Sequence, residues 1–188
     1  MPSPKRIWFP SAQFHIMARG IRRTSLFHDD EDRNMYLQIL FMIKNRYPFH
    51  LHSFCLMPNH IHLQIETIDH PPSKIMQAIH SSYAMYFNRK YHYTGSVFEK
   101  RYRAKIIKSR RYELELSRYI HLNPLRAGLT DNLDKYPWSS FRAYALDDKN
   151  SSVTTSRLLS YFPYPKQDNY INFVLSAKPN PLSNHVNR

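Results

Sequence analysis

The seven residues His60-Ile61-His62-Leu63-Gln64-Ile65-Glu66 alternate polar and apolar side chains without a break. Successive side chains of an extended strand point to opposite faces, so this run has a polar face and an aliphatic one. A helix through the same residues would scatter Ile61, Leu63 and Ile65 around its circumference. The run is therefore a strand with one buried face, and the rest of the chain must supply the elements that cover it. A second strand-like run, His50-Leu51-His52-Ser53-Phe54-Cys55-Leu56, precedes it across a Pro58-Asn59 break. There the face of His50 and His52 continues into the apolar Phe54 and Leu56, the pattern of a strand buried on both sides.

The flanking segments complete a recognisable order. Phe14-His15-Ile16-Met17-Ala18 reads as a short strand, closed by Arg19-Gly20 and the basic turn Arg22-Arg23. The acidic cluster Asp29-Asp30-Glu31-Asp32 stands before the stripe Met35, Tyr36, Ile39, Leu40 and Ile43. Carboxylates there face the positive end of a helix dipole, which predicts a capped helix over residues 30–46. The stripe Ile75, Ile79, Tyr83 and Phe87 predicts a second helix over residues 73–89. Val97-Phe98 and residues 104–107 read as strand-like pieces, and Ser109 as the cap of a third helix running to Asn123, halted by Pro124. Strand–helix–strand, repeated twice, predicts an α+β fold of the ferredoxin-like split βαβ type: one antiparallel sheet with helices on one face, plus an additional helix. His60 and His62 then lie on the face the helices leave uncovered. Residues 1–148 are expected to form this unit, with a polar linker at 147–152 and residues 149–188 as a C-terminal extension.

Composition narrows the function. The chain carries 27 Lys and Arg against 14 Asp and Glu, a net charge of +13, which points to nucleic acid. An apolar content of 42% excludes a disordered basic tail, 3 glycines leave almost nothing for a phosphate-cradling loop, and a single cysteine excludes a disulfide framework. The start of the chain lacks a signal-peptide core, and the most apolar stretch, residues 37–43, is too short to cross a bilayer. The expectation is a soluble cytoplasmic, nucleoid-associated protein without a membrane partner. Its basic residues concentrate in residues 95–126, among them Lys100, Arg101, Arg103, Lys105, Lys108, Arg110 and Arg111, interleaved with Tyr93, Phe98, Tyr102 and Tyr112. Cations with aromatics suit phosphate contacts and base stacking on unpaired strands, although a solvated charged face has the same composition.

Two constellations could carry chemistry. His60 and His62 project side by side from one strand face, close enough to share a divalent cation, as ordinary sheet-surface histidines also do. Gln64 shares their face, where it either orients a water or a ligand or simply meets solvent. Tyr119 and Asn123 are four residues apart, hence a turn apart on one helix face. A tyrosine beside a metal-bound phosphate can attack it, and a carboxamide can complete the metal's ligands. Spacing alone equally describes a half-buried tyrosine with Asn123 as a helix stop.

Four ordered motifs give these residues a context. Met57-Pro58-Asn59-His60-Ile61-His62-Leu63, Phe98-Glu99-Lys100-Arg101-Tyr102, the run from Arg118 through Tyr119-Ile120-His121-Leu122-Asn123-Pro124 to Leu129, and Tyr136-Pro137-Trp138-Ser139-Ser140 together resemble the REP-associated tyrosine transposases over roughly residues 7–145. That resemblance implies the single-tyrosine HUH nuclease fold. It maps the metal-holding histidines onto His60 and His62 rather than His50 and His52, the nucleophile onto Tyr119, and a third ligand onto Asn123. It implies Mg2+ or Mn2+ as cofactor, single-stranded and hairpin DNA as partner, and a 5′-phosphotyrosine intermediate in DNA cleavage and rejoining. Relatives act as monomers or homodimers. Arg19, Arg22, Arg23 and the basic residues of 100–111 are the candidates for gripping DNA. Two alternatives remain: a non-catalytic ferredoxin-like module that binds single strands, and a metal-dependent hydrolase that uses water. Only the transposase forms a covalent protein–DNA adduct.

The charge distribution makes a direct prediction. With about five phosphate contacts, affinity for single-stranded DNA falls about a hundredfold between about 50 and 200 mM salt. Fluorescence anisotropy at several salt concentrations measures this, and salt-independent binding would refute it. Replacing Arg101 and Arg103 together by glutamine weakens binding across all sequences and leaves metal binding unchanged.

Overall fold

The computed structural model describes residues 8–146 and 152–176. Four strands form one sheet: β1 (Gln13–Arg19), β2 (Phe49–Met57), β3 (His60–Thr67) and β4 (Arg103–Ile106), in the order β2-β3-β1-β4 with every neighbour antiparallel. Helices α1 (Asp30–Arg46) and α2 (Pro72–Tyr91) make the two crossovers, which is the predicted split βαβ arrangement. Both pack on one face, where Ile61, Leu63 and Ile65 of β3 join Phe14 and Ile16 of β1, Leu40 and Ile43 of α1, and Ile75 and Ile79 of α2 in the main core.

The acidic cluster caps α1 and also holds α2. The Asp29 carboxylate accepts from the Asp32 backbone at 2.9 Å and Asp32 reciprocates at 3.4 Å, a cap that contributes about 1 kcal/mol. Lys90, in the last turn of α2, reaches Asp29 at 2.8 Å and Asp32 at 2.9 Å.

The opposite face departs from expectation. Helix α3 (Arg110–Arg126) covers it, so the histidine face is not open. Leu116 and Ile120 of α3 pack on Cys55 and Met57 of β2 with Tyr136. Gln64 is fully buried beneath α3: its Oε1 accepts from Ser53 Oγ at 2.8 Å and its Nε2 donates to the Glu113 carbonyl at 3.3 Å. That uses both of its functional groups in joining β2, β3 and α3, and excludes both roles read from the sequence. The molecule is three layers: α1 and α2, the sheet, then α3.

Two local expectations also change. The β2–β3 register shifts between Leu51 and Ser53, a bulge at His52. Before the bulge Phe49 and Leu51 face the main core; after it Phe54 and Leu56 do. His50 and Phe54 therefore do not share a face, because the extra residue inverts the alternation. Pro124 does not halt α3, which runs on to Arg126. Gly128, at φ +67, ends it: the Leu129 amide donates to the Pro124 carbonyl at 2.9 Å and the Gly128 amide to the Leu125 carbonyl at 3.1 Å. Only a residue tolerant of positive φ closes a helix this way, and proline in the last turn sacrifices a single bond.

The linker expected at 147–152 lies outside the described residues except for Ser152. Beyond it, α5 (Ser156–Leu159) and α6 (Lys166–Leu175) share a core with α3 and with α4 (Phe141–Ala145), built from Leu122, Phe141, Tyr144, Leu158, Tyr170 and Val174. The Tyr170 hydroxyl bonds His121 Nδ1 at 2.9 Å and Ser117 Oγ at 3.1 Å, both on α3. Arg157 donates from Nε to the buried Glu113 carboxylate of α3 at 2.7 Å, and lies 3.6 Å from Glu66 of β3.

Removing Arg157 leaves the Glu113 carboxylate buried with two neutral donors, the Tyr161 hydroxyl at 3.0 Å and the Gln13 amide at 3.2 Å, and no charge to compensate it. Arg157→Ala is expected to lower stability by about 1–3 kcal/mol in urea denaturation. An unchanged midpoint would show that α5 contributes nothing to the seating of α3.

Candidate active site

Pairing of β1 with β3 assembles the site. In register, Arg19 stands opposite His60, Met17 opposite His62 and His15 opposite Gln64. Side chains directly opposite share a face, so His15, Met17 and Arg19 join His60 and His62 on the side covered by α3. Arg103 and Lys105 of β4, opposite Met17 and His15, extend the same face to the sheet edge. The rings of His60 and His62 are perpendicular with centroids 5.0 Å apart. Tyr119 places its ring perpendicular to that of His62 at 5.4 Å. The structure thus brings together the histidine pair and the tyrosine, which stand 57 residues apart between His62 and Tyr119 in the sequence.

Hydrogen bonding orients both imidazoles. His60 Nδ1 donates to Asn59 Oδ1 at 2.8 Å. His62 Nδ1 and His15 Nε2 lie 3.0 Å apart, with the rings edge to edge, 24° from parallel, and their centroids 5.3 Å apart. His62 Nε2 is buried and has no partner. A buried imidazole nitrogen without a hydrogen bond is uncommon unless it has another use, such as ligating a metal. Asn123 donates from Nδ2 to the Tyr119 carbonyl at 2.8 Å, which leaves its Oδ1 lone pairs for another partner. Two imidazole nitrogens and a carboxamide oxygen make a mixed, borderline donor set that a divalent first-row cation accepts. Among the described residues no three His, Cys, Asp or Glu side chains are grouped to hold a metal by themselves.

The electrostatics favour neutral imidazoles. Burial, then Arg19, pushes His60 down to about 4. Burial, then Lys105, pushes His15 down to about 4. His62 is lowered well below the ordinary range by burial first, then by His15, His60 and Arg19. For Tyr119, burial raises the phenol pKa, while a hydrogen bond from Asn123 and the charges of Arg126 and Arg19 oppose the rise.

An open cleft adjoins the histidines, lined by Met17, Arg19, His60, His62, Glu99, Lys100, Arg101 and Arg103. It groups four of the basic residues expected to grip DNA. Arg22 and Arg23 lie on the exposed turn after β1, both at positive φ. Lys105 sits over the Tyr112 ring at 4.9 Å, while Lys108 and Arg111 are exposed around the start of α3. Arg110 faces elsewhere: it stacks on Tyr161 at 4.3 Å and donates to the Tyr161 carbonyl at 2.9 Å. His50 is exposed, and His52 lies 3.1 Å from both the Glu66 carboxylate and the Thr154 carbonyl. Neither enters the site. His15 does, without having been singled out in the sequence. The alternation of Phe14, Ile16 and Ala18 with His15, Met17 and Arg19 was its available signal.

The sequence matches the model of the IS200-like transposases over residues 9–123, from just before β1 to the Asn123 turn of α3. The chain belongs to that family. A solved structure of a REP-associated tyrosine transposase bound to a REP hairpin shares the fold with a TM-score of 0.68 at 16% identity, covering 82% of this chain and 91% of that one. A transposase candidate from Deinococcus radiodurans R1 overlaps less, with a TM-score of 0.44 at 20% identity over 63% of this chain and 95% of its own. The second overlap is too partial to bear on the fold. No curated protein matches the chain. Among the described residues, no helix of this transposase is long and apolar enough to cross a membrane.

The depressed histidines set an acid limit on the fold. His15 and His60 at about 4, with His80 and His121 at about 3, stay neutral in the folded chain where an unfolded histidine, near 6.5, already takes a proton. The unfolded state then binds more protons, so stability is full above about 6.5 and falls as pH drops toward 4. Each such histidine contributes a slope of up to about 1.4 kcal/mol per pH unit. Thermal melts should show the midpoint falling steadily from pH 6.5 to 4.5; a flat profile would contradict the burial.

Proposed function

We propose that the chain is a single-tyrosine transposase of the REP-associated type, cutting and rejoining single-stranded DNA beside a hairpin. One observation carries this reading: α3 seats Tyr119 against His62, whose buried Nε2 has no partner within the protein. A binding module gives no reason for a tyrosine to be seated against one of two oriented histidines beside a basic cleft.

Tyr119 is the nucleophile. Its Oη attacks the scissile phosphorus, the bond from phosphorus to the 3′-oxygen breaks, and a 5′-phosphotyrosine link forms. The phenol loses its proton in this step and the departing 3′-oxygen gains one. Arg19 and Arg126 favour the phenolate that develops, while burial of the ring limits access of water to the link. The phosphodiester energy is retained, so a second 3′-hydroxyl can attack the phosphotyrosine and restore the phenol. His60, His62 and Asn123 are the residues that would hold Mg2+ or Mn2+, which when bound supplies Lewis-acid polarisation of the scissile phosphate. Arg19, Lys100, Arg101 and Arg103 bind the flanking phosphates from the cleft wall. Arg22, Arg23, Lys105, Lys108 and Arg111 extend the basic surface, and Arg110 contributes by holding the C-terminal segment.

Residues 1–148 form the transposase unit in this reading, and residues 149–188 an extension whose α5 and α6 brace the nucleophile helix. This reading is compatible with a monomer and with a homodimer alike. The substrate places the protein in the cytoplasm, at the nucleoid.

Tyr119→Phe removes the hydroxyl and keeps the ring. The variant is expected to fold and to bind hairpin DNA at wild-type affinity, yet to form neither covalent adduct nor cleavage product on denaturing gels with Mg2+ or Mn2+. Cleavage by Tyr119→Phe would make water the nucleophile. A wild-type protein that binds hairpins but never cuts them would favour the binding module.

A further inference from the structure

His15 lies in the middle of β1, is 6% exposed, and does not line the cleft. Its Nε2 is 3.0 Å from Nδ1 of His62. We propose that His15 is a positioning residue: its Nε2 accepts the Nδ1 proton of His62 and thereby holds the His62 Nε2 lone pair toward the cleft. This rests on the reading of His62 as a metal ligand.

The proton count supports it. A hydrogen bond between two imidazole nitrogens holds one proton, and it can belong to either ring. If His15 donates, neutral His62 carries its own proton on Nε2, where it is a buried N–H facing no acceptor. Orphaned buried N–H groups are the rarest kind of unsatisfied polar atom. If His62 donates, its Nε2 is instead a lone pair, and the missing partner is a cation rather than a lost hydrogen bond.

The neighbouring ring independently shows the same device. His60 Nδ1 bonds Asn59 Oδ1 at 2.8 Å, and a carboxamide oxygen can only accept. Asn59 is itself oriented by donating from Nδ2 to the Arg23 carbonyl at 3.2 Å. His60 therefore has its proton on Nδ1 and its lone pair on Nε2. Both rings then offer the same atom, each through an acceptor behind it. The two acceptors differ in origin: Asn59 adjoins its histidine in sequence, whereas His15 is delivered by the β1–β3 register. The His15 and His62 rings are only 24° from parallel, with centroids 5.3 Å apart across the 3.0 Å bond, so the two rings lie nearly coplanar with it.

Mn2+ affinity of the full chain, measured by titration calorimetry, tests the proposal without using activity. His15→Phe keeps a flat buried ring without an acceptor and is expected to bind Mn2+ about 10–100-fold more weakly. His15→Gln places an acceptor oxygen where Nε2 stood and should recover most of that loss. His15→Asn, too short to reach, should not, which keeps the comparison available if the phenylalanine variant fails to fold. Metal-free hairpin binding should be unchanged in all three. Long-range 15N–1H spectra of the wild type should show His62 protonated on Nδ1. Mn2+ binding by His15→Phe or His15→Asn at wild-type strength, or a proton on His62 Nε2, overturns the role of His15. His60→Ala separates this from the parent reading: if it too binds Mn2+ like the wild type, the metal site itself is refuted and the proposal with it.

Discussion

The structure turns on a polar strand face that is nevertheless buried. β3 directs Ile61, Leu63 and Ile65 into an ordinary core, but α3 also removes its other side from water, so His62, Gln64 and much of Glu66 lose hydration. Each such group needs a partner or costs about 1–3 kcal/mol. Gln64 is matched by Ser53 and the Glu113 carbonyl, Glu66 by His52 and Arg157, His60 by Asn59, and His62 at Nδ1 by His15. Only His62 Nε2 is buried and left over on this strand. A face matched this completely, apart from one nitrogen beside a tyrosine, is specified around that nitrogen.

The same cations serve two demands of such a site. Imidazoles that are to bind a metal must be neutral, and the substrate is a polyanion. Arg19 lies beside His60 and Lys105 beside His15, where each adds to burial in disfavouring the imidazolium. Positive charge at the cleft also attracts phosphate and favours ionised Tyr119. Acidic residues near the histidines would reverse all three effects. Along residues 95–126 the acids are Glu99, Glu113 and Glu115. Glu113 is committed to Arg157 and Glu115 to Arg118, so only Glu99 is left to face the cleft.

What the sequence disclosed follows from which interactions are local. Helix α1 was legible to the residue because its cap, Asp29 with Asp32, is three residues wide. The β3 alternation and the Tyr119–Asn123 spacing are equally short-range. The bulge at His52 was not, since it depends on how β2 registers against β3: the strand is buried on both sides as its sequence suggests, but the extra residue exchanges which side chains face which layer. The covering of the histidine face was hidden for the same reason: α3 meets β2 and β3 across about fifty residues of chain, and its anchor, Gln64, resembles a surface residue in sequence. His15 stood in plain alternation within β1, but its value depends on the partner strand that tertiary pairing selects.

Packing on both sides of α3 explains how Tyr119, the proposed nucleophile, can sit on a helix without being loosely held. Leu116 and Ile120 bind one side to the sheet, while Ser117, His121 and Leu122 bind the other to Tyr170 and the core of α4, α5 and α6. Tyr119 falls at the edge between these two surfaces, half-buried, with its ring toward His62. A helix fixed on one side only could roll, and the phenol, at the rim of the contact, would move the furthest. Bracing from the C-terminal segment converts that roll into a loss of buried contact on one side or the other. The position of the Tyr119 ring against His62 is therefore set by contacts of α3 with β2 and α6 that lie away from the phenol itself.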